Sequence, residues 1–405
     1  MSLYQQSLKR LLNKTSNPKF GLNRISKLLE RLDIKLGQTK TVQVVGTNGK
    51  GSTVAFLESL LLAHGLKTGL FTSPHLCSAR ERIRLNGQQI SEEDFVAAAD
   101  AVLAQADHES DQSSFFECVL AMALWLFKRD KIDVIILEAG LGGRLDATTA
   151  CQADILGLSM VDFDHQNILG DSLAQISAEK IAAARSGQLV ISVEQHPQVK
   201  AVIDKAEQNL GFILKFSEPT YRPLGLIGEH QRYNAGLALA LFEAIAIRPH
   251  QEKISQGLLR VNWPGRYEII NREVKIIFDG AHNPSGLKAF ISLVGKENEL
   301  VLIYGSLSSA NLRAKTELLL SLKTKHIFLH APNNPRAEST ASLKALMIEL
   351  GEPAHKLSDF ISWPQVEAYA KKYHKTVAVL GSLYTVGELR GDLLGIECDV
   401  LKPAY

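Results

Sequence analysis

Gly46-Thr47-Asn48-Gly49-Lys50-Gly51-Ser52 stands between a β-branched run ending at Val45 and a stretch of helical period opening at Ser52. Glycines let the chain turn with its amides facing inward, and the following helix N-terminus adds partial positive charge, so the string suits a phosphate group. Lys50 supplies a full positive charge for β- and γ-oxygens. The string departs from GxxxxGK[ST], because Gly51 follows the lysine and the hydroxyls come at Ser52 and Thr53. A Gly-rich turn with a solvated lysine is the alternative, and the placement between strand and helix speaks against it.

A second apolar run ends in Ile136-Leu137-Glu138, followed by Ala139-Gly140-Leu141-Gly142-Gly143. A carboxylate at the carboxyl end of a buried parallel strand, beside a phosphate loop, lies where open α/β sheets bind ligands and is a natural partner for Mg²⁺. Glu138 is therefore a metal-ligand candidate, with a capping or salt-bridged glutamate as the alternative. A third run, Ile155 to Val161, delivers Asp162-Phe163-Asp164-His165 to the same edge, and His165 is placed to bind a metal or orient a phosphate. Lys180 interrupts the otherwise apolar stretch Ile176 to Ala184, and from composition alone a solvated helix face accounts for it.

Short β-branched runs alternating with longer helical stretches must position these groups, which is the pattern of a mostly parallel sheet covered by helices, an α/β fold. The expected strands are Val42 to Val45, Gly69 to Thr72, Val134 to Leu137, Ile155 to Val161 and Leu189 to Val193. The expected helices are Ser52 to His64, Phe95 to Ala106, Phe115 to Lys128 and Leu173 to Arg185. The first 36 residues read as helical, with Ile25, Leu28, Leu29 and Leu32 on one stripe against the sheet's flank. After Asn262-Trp263-Pro264-Gly265 the rhythm restarts with runs at Val274 to Phe278, Leu300 to Tyr304, His326 to Leu329 and Val377 to Leu380. The expected division is 1–262 and 263–405.

The chain has 405 residues, enough for two or three cores at roughly 150 residues each. Lys plus Arg total 45 against 43 Asp plus Glu, so no net charge draws it to nucleic acid or an anionic membrane, and neither is expected as a partner. The four cysteines Cys77, Cys118, Cys151 and Cys398 show no CxxC pair and no regular spacing, so neither a zinc site nor a disulfide framework is expected. A reducing cytoplasm fits that usage. No export signal opens the chain, and no apolar run approaches the roughly 18 residues of a membrane span.

Strings spread along the chain carry a family resemblance. They are GTNGKGS (46–52), TSPHL (72–76), RERIRLNG (80–87), LEAGLGGRLDAT (137–148) and DHQNILG (164–170), then GEHQRYNA (228–235), WPGRYE (263–268), DGAHNPSG (279–286) and GSLYTVGELR (381–390). In this order they resemble the folylpolyglutamate synthase/dihydrofolate synthase family of the Mur ligase superfamily, in its bifunctional bacterial type. The resemblance implies a P-loop, Mur-ligase-like ATP-binding domain followed by a smaller Rossmann-like α/β ligase domain. It implies an ATP-dependent ligase that phosphorylates a carboxylate of dihydropteroate or a reduced folate and lets the amine of L-glutamate attack the acyl phosphate.

By the family pattern Ser73 and Glu138 ligate one Mg²⁺, Glu138 and His165 hold a second, and Lys180 is carbamylated near them. Lys50, Lys180 and His165 are the implied catalytic residues. The nucleotide is implied to lie between domains, on Gly46 to Ser52 with His230, Gln231 and Asn234 from one side and Arg266, Asp279 and His282 from the other. Arg82, Phe116, Ala147, Ser382 and Tyr384 are the implied substrate contacts, with Phe116 and Ala147 near the pterin and Ser382 and Tyr384 near incoming glutamate. A cytoplasmic monomer is expected.

The bifunctional branch resembles this chain in Gly143 to Thr148 and in Phe116-Glu117, whereas polyglutamylating-only relatives vary at the Arg-Leu-Asp-Ala stretch. A monofunctional folylpolyglutamate synthase, or a Mur-type ligase acting on another carboxylate, is the alternative. The chain departs from the family at Ser308-Ser309-Ala310-Asn311, where Asp-Lys-Asp is usual, and at Ile181-Ala182-Ala183, where a small residue and a glycine customarily follow the lysine. A P-loop phosphotransferase or GTPase switch would not need the second α/β unit, and a silent nucleotide- or folate-binding module would have lost Lys50 or Glu138.

Overall fold

The computed structural model describes residues 1–14, 21–35, 37, 39–106, 113–245, 247–295, 299–309 and 311–399. Its first sheet has eight strands: β1 (Lys40–Val45), β2 (Thr68–Phe71), β3 (Ile83–Leu85), β4 (Gln88–Gln89), β5 (Val134–Glu138), β6 (Ile155–Leu158), β7 (Leu189–Ser192) and β8 (Ile213–Phe216). Their order is β4-β3-β2-β5-β1-β6-β7-β8, parallel except where β3 pairs with β2 and β4. The second sheet has six: β9 (Glu268–Asn271), β10 (Lys275–Phe278), β11 (Leu300–Tyr304), β12 (Thr324–Leu329), β13 (Leu357–Asp359) and β14 (Thr376–Leu380). Their order is β13-β12-β11-β14-β10-β9, with β9 alone antiparallel.

The central strands are apolar on both sides because helices cover both faces. In the first sheet Val42, Val44, Val134 and Ile136 pack under the helices Lys50–Ala63, Glu229–Ala244 and Gln251–Leu259. Ile135 and Leu137 face the helices Glu92–Ala106 and Phe115–Arg129, together with Leu3–Leu12 and Asn23–Arg31 from the amino-terminal segment. Ile25, Leu28 and Leu29 are buried there as the stripe requires, with Leu32 partly covered. Residues 15–20 and 36 of that segment lie outside the described residues. In the second sheet Ile277, Leu302 and Tyr304 face one apolar cluster and Ile276, Phe278, Val301 and Ile303 the other.

The expected central strands and helices are present, with ends shifted by a few residues. The stretch expected as one helix to Arg185 stops at Ile181, and Ala183 and Ala184 continue the burial in a turn. β3, β4, β8, β9 and β13 were not expected. They are edge or next-to-edge strands of two to four residues, and β4 and β8 expose most of their side chains.

Two places join the sheets beside the cavity described below. One is the connection Asn262-Trp263-Pro264-Gly265, where the Arg84 guanidinium lies 5.3 Å over the Trp263 ring and pairs with buried Glu58 at 3.0 Å. Burial raises the Glu58 carboxyl, opposed by the charge and hydrogen bond of Arg84. The other is the carboxy-terminal segment, which crosses to the loop after β2. Asp399 accepts from Ala79 N at 2.6 Å and from the Tyr4 hydroxyl at 2.5 Å, and its own amide donates to Cys77 O at 2.7 Å. Cys77 and Cys398 form a disulfide there, contrary to the expectation from cysteine spacing, because the fold brings together residues 321 apart in sequence. Among the described residues no helix is long and apolar enough to cross a membrane.

Candidate active site

β1 runs between β5 and β6, and this register assembles the site. Val44 lies beside Glu138 and Val45 beside Leu158, so the loop after β1, the end of β5 and the segment after β6 share one edge. Across it stand the loops after β10 and β14 of the second sheet. Between them lies a cavity of about 590 Å³. Every expected site residue lines it except Phe116 and Ala147, which line an adjoining cavity of about 160 Å³. The two cavities share Leu141, Gly142 and Ile168 as a wall.

The phosphate loop differs in detail from its expected form. Thr47 N and Asn48 N both donate to Met160 O, at 2.8 and 3.1 Å, so these two amides fasten the loop to the end of β6 and do not face the cavity. Gly49 turns the chain at φ +89° into the helix Lys50–Ala63, whose first-turn amides lack intrahelical partners and are left to meet an anion. Gly51 has a local reason: a Cβ there would stand 3.3 Å from Trp263 Nε1 and 3.5 Å from Glu138 Oε1. Lys50 Nζ donates to Gly46 O and Thr47 O, each at 3.2 Å, and Lys180 Nζ donates to the same Gly46 O at 2.9 Å.

Glu138 is 4% exposed, accepts from the Thr72 hydroxyl and from Ser73 N at 3.1 Å, and among the described residues has no cationic partner. A buried carboxylate left in this state calls for a cation. Glu138 and the Ser73 hydroxyl are the hard oxygen donors Mg²⁺ prefers, and His165 adds a nitrogen, so these residues fit a divalent ion. His165 heads a short helical turn at φ +49°, and burial, helped by His282, Lys50 and Lys180, keeps its imidazole below the ordinary pKa and thus neutral.

Lys180 is buried, and no carboxylate pairs with it among the described residues. Burial and the nearby Lys50 charge lower it to about 7. Gly143 packs against its backbone so closely that a side chain there would collide with Lys180 O, which ties the loop after β5 to this lysine. The solvated-face account of Lys180 is thereby excluded.

From the second sheet, Asp279 directs one carboxylate oxygen to Tyr267 N and the other to Ala281 N, both at 2.8 Å, and so shapes the turn that presents His282. His282 Nε2 stands 3.5 Å from Asp164 Oδ2. Asn283 donates to the same Asp164 oxygen at 3.1 Å and to Asn48 Oδ1 at 2.9 Å, linking the two sheets across the cavity. Burial would raise the Asp164 carboxyl, but the hydrogen bond and charge of His282, with Asn283, outweigh it and hold the group below the usual carboxylate range. On the far wall the Ser382 hydroxyl caps the helix Leu383–Leu394 through Thr385 N at 3.0 Å, a structural task the sequence did not suggest. Arg82 is buried and donates through Nε to His75 Nδ1 at 2.7 Å, so His75 is neutral, lowered by burial and by the Arg82 charge.

In the adjoining cavity Asp146 accepts from Gly140 N and Leu141 N at 2.9 Å and from Thr148 N at 3.0 Å, fixing the loop that carries Ala147. Phe116 stands opposite on the helix Phe115–Arg129, capped by Ser114 and Glu117. Sequence reasoning named neither Asp164 nor Asn283 as a site residue, although each lies within a string that carries the resemblance.

No protein-family model matches the chain. It is 31% identical over 382 residues to a probable bifunctional folylpolyglutamate synthase/dihydropteroate synthase of Halobacterium salinarum, covering 86% of this chain and 46% of that protein. The chain thus spans about half the length of its archaeal relatives. It is 32% identical over 407 residues to the dihydrofolate synthase/folylpolyglutamate synthase of Escherichia coli, covering 94% of this chain and 93% of that one. Its fold matches a bifunctional folylpolyglutamate synthase/dihydrofolate synthase solved with Mn, AMPPNP and L-glutamate, at TM-score 0.84 and 28% identity over 97% of this chain and 98% of the other. With 32% identity over nearly the full length of both chains and a matching fold, the chain belongs to the folylpolyglutamate synthase/dihydrofolate synthase family.

Proposed function

We propose that the chain is an ATP-dependent amide ligase that joins L-glutamate to dihydropteroate and to reduced folates through an acyl phosphate. The observation that carries this reading is the shared cavity, into which one sheet sends Lys50, Glu138, His165 and Lys180 and the other Arg266, Asp279 and His282. The residues divided between 1–262 and 263–405 would then be an ATP-binding part and a ligase part, meeting where the reaction occurs.

A carboxylate is a poor electrophile until one of its oxygens becomes a good leaving group. In the proposed reaction a substrate carboxylate oxygen attacks the γ-phosphorus and ADP leaves. The glutamate amine then attacks the acyl carbon, and phosphate departs from the tetrahedral intermediate. Lys50 and the first-turn amides of its helix hold the phosphates and meet the charge that shifts onto them. Glu138, Ser73 and His165 would hold a divalent cation such as Mg²⁺, which when bound would supply further neutralisation of the phosphoryl charge. Lys180, lowered to about 7, is partly an unprotonated amine at neutral pH, which is the form that takes up carbon dioxide as a carbamate. Asn234, Arg266, Asp279 and His282 enclose the nucleotide, and Ser382 and Tyr384 border the glutamate side. Phe116 and Ala147 take the pterin in the adjoining cavity, with Arg82 near the bond to be formed.

We further propose a cytoplasmic monomer, the setting that the family resemblance implies. The deciding assay is glutamate-dependent phosphate release, run side by side with dihydropteroate and with tetrahydrofolate. Turnover with both is expected. Turnover with tetrahydrofolate alone would reduce the activity to polyglutamylation, and no glutamate dependence with either would refute the proposal.

A further inference from the structure

The loop after β2 holds a buried pair of which the proposed chemistry uses only one member. Arg82 is 4% exposed and lines the larger cavity, whereas His75 is 3% exposed and lines neither cavity. Arg82 Nε donates to His75 Nδ1 at 2.7 Å, a bond that needs the lone pair on Nδ1 and therefore a neutral ring. The ring proton then sits on Nε2, which is buried and, among the described residues, has no hydrogen-bond partner. A buried donor without a partner costs stability, so a histidine kept here for packing alone would be a poor choice.

The surroundings hold the guanidinium in place. It lies 5.3 Å over the Phe115 ring, and the Arg82 carbonyl accepts from Thr72 N at 2.9 Å, which fastens its backbone to the end of β2. Phe116, the next residue along the helix Phe115–Arg129, lines the smaller cavity. Arg82 thus borders the larger cavity against the helix that also serves the smaller one. A carboxylate in place of the imidazole would grip the guanidinium as firmly but would offset its charge. A neutral ring nitrogen aims the cation and sets no negative charge against it.

We infer that His75 is a positioning residue, which aims Arg82 at the carboxylate of the folate-type substrate without adding a counter-charge. This rests on the ligase reading above. A nucleotide phosphate is the other anion the larger cavity would receive. The substrate carboxylate is favoured because the phosphates already meet Lys50 and the helix amides, and because a molecule with its rings against Phe116 would extend its carboxylate past the same helix toward Arg82.

The test compares three substitutions in the full chain. His75→Asn keeps a neutral acceptor near the place of Nδ1, His75→Asp has the same shape but carries a charge, and His75→Leu offers no acceptor. The parent is first required to show glutamate-dependent turnover, and its absence would remove the ligase reading and this inference with it. His75→Leu and His75→Asp should then each raise the KM for the folate substrate about tenfold or more, the loss expected when a hydrogen bond to a charged group is removed or its charge is offset, while the KM for ATP moves less than about twofold. His75→Asn should keep both KM values within about threefold of the parent. Asparagine and aspartate fill nearly the same volume and both accept a hydrogen bond, so a difference between them reports charge and not packing, and this pair decides even if the leucine variant does not fold. Equal folate KM values for His75→Asn and His75→Asp, or rises for ATP as large as those for the folate substrate, would overturn the inference.

Discussion

Replacing Lys50 with alanine separates the work of the phosphate loop's backbone from that of its cation. In the resting loop Lys50 Nζ holds Gly46 O and Thr47 O, but Lys180 Nζ also holds Gly46 O. The variant therefore loses hydrogen bonds worth about 1 kcal/mol each and gains relief from the repulsion between the two ammonium groups. These changes oppose each other, so the melting temperature should move little. Catalysis should not be spared: the first-turn amides still hold a ground-state phosphate, yet no other side chain replaces the point charge as the γ-phosphoryl transfers. Loss of one such group costs about 3 kcal/mol of transition-state stabilisation, on the order of a hundredfold in kcat. Lys180 should at the same time titrate closer to its ordinary value, because the Lys50 charge that helps lower it is gone. The assay is glutamate-dependent phosphate release, with thermal unfolding on the same samples. A folded variant whose turnover stayed within about threefold of the parent would refute the role given to this lysine.

Glu138→Gln keeps the shape and removes the charge, so the Mg²⁺ concentration for half-maximal rate should rise; an unchanged Mg²⁺ titration would return Glu138 to a purely structural part. Lys180→Ala should be partly rescued by small carboxylic acids added to the assay, whereas full activity in Lys180→Arg, a permanent cation, would exclude a carbamate. Lys180 also predicts a pH dependence of stability. Its folded pKa of about 7 lies below the unfolded lysine value of roughly 10.4, so the unfolded chain binds the extra proton between them and stability should rise with pH across that window. Denaturant melts of parent and Lys180→Met at the two ends of the window should differ in slope, and identical slopes would contradict the burial described. Phe116→Ala should raise the KM for dihydropteroate more than that for ATP, since the ring lines only the smaller cavity, and equal weakening would indicate a folding defect.

The parts legible in the sequence are those where a local pattern carries the whole signal. β5 and β6 are apolar runs because both faces are covered, β1 carries buried Gln43 as the only polar residue among its last four, and Glu138 and Asp162 at the ends of the β5 and β6 runs mark the edge of the candidate site. Edge strands escaped notice because Gln88–Gln89 and Ile213–Phe216 bury too little to imprint a period. Lys180 illustrates an intermediate case: its neighbours announced a buried helix, but only the fold shows its ammonium resting on Gly46 O, 134 residues away. The Asn48–Asn283–Asp164 link depends on tertiary placement, which no spacing encodes, whereas the capping duty of Ser382 is local to the turn that holds Thr385. The departure at Ser308 to Asn311 remains without a structural account at Ala310, which lies outside the described residues.

The carboxy-terminal segment around Asp399 has a mechanical consequence. Gly265 in the connection between the sheets would carry a Cβ 3.4 Å from Leu76, and Cys77, the next residue, holds Cys398 and Asp399. Both attachments thus meet the first sheet at one corner. A second sheet tied at one corner needs a further tie on the far side of the cavity to hold one angle to the first. The bonds of Asn283 to Asn48 and Asp164 on the first sheet, with His282 3.5 Å from the same Asp164 oxygen, supply that tie. Cutting Asp399 free would loosen the corner while leaving that tie intact.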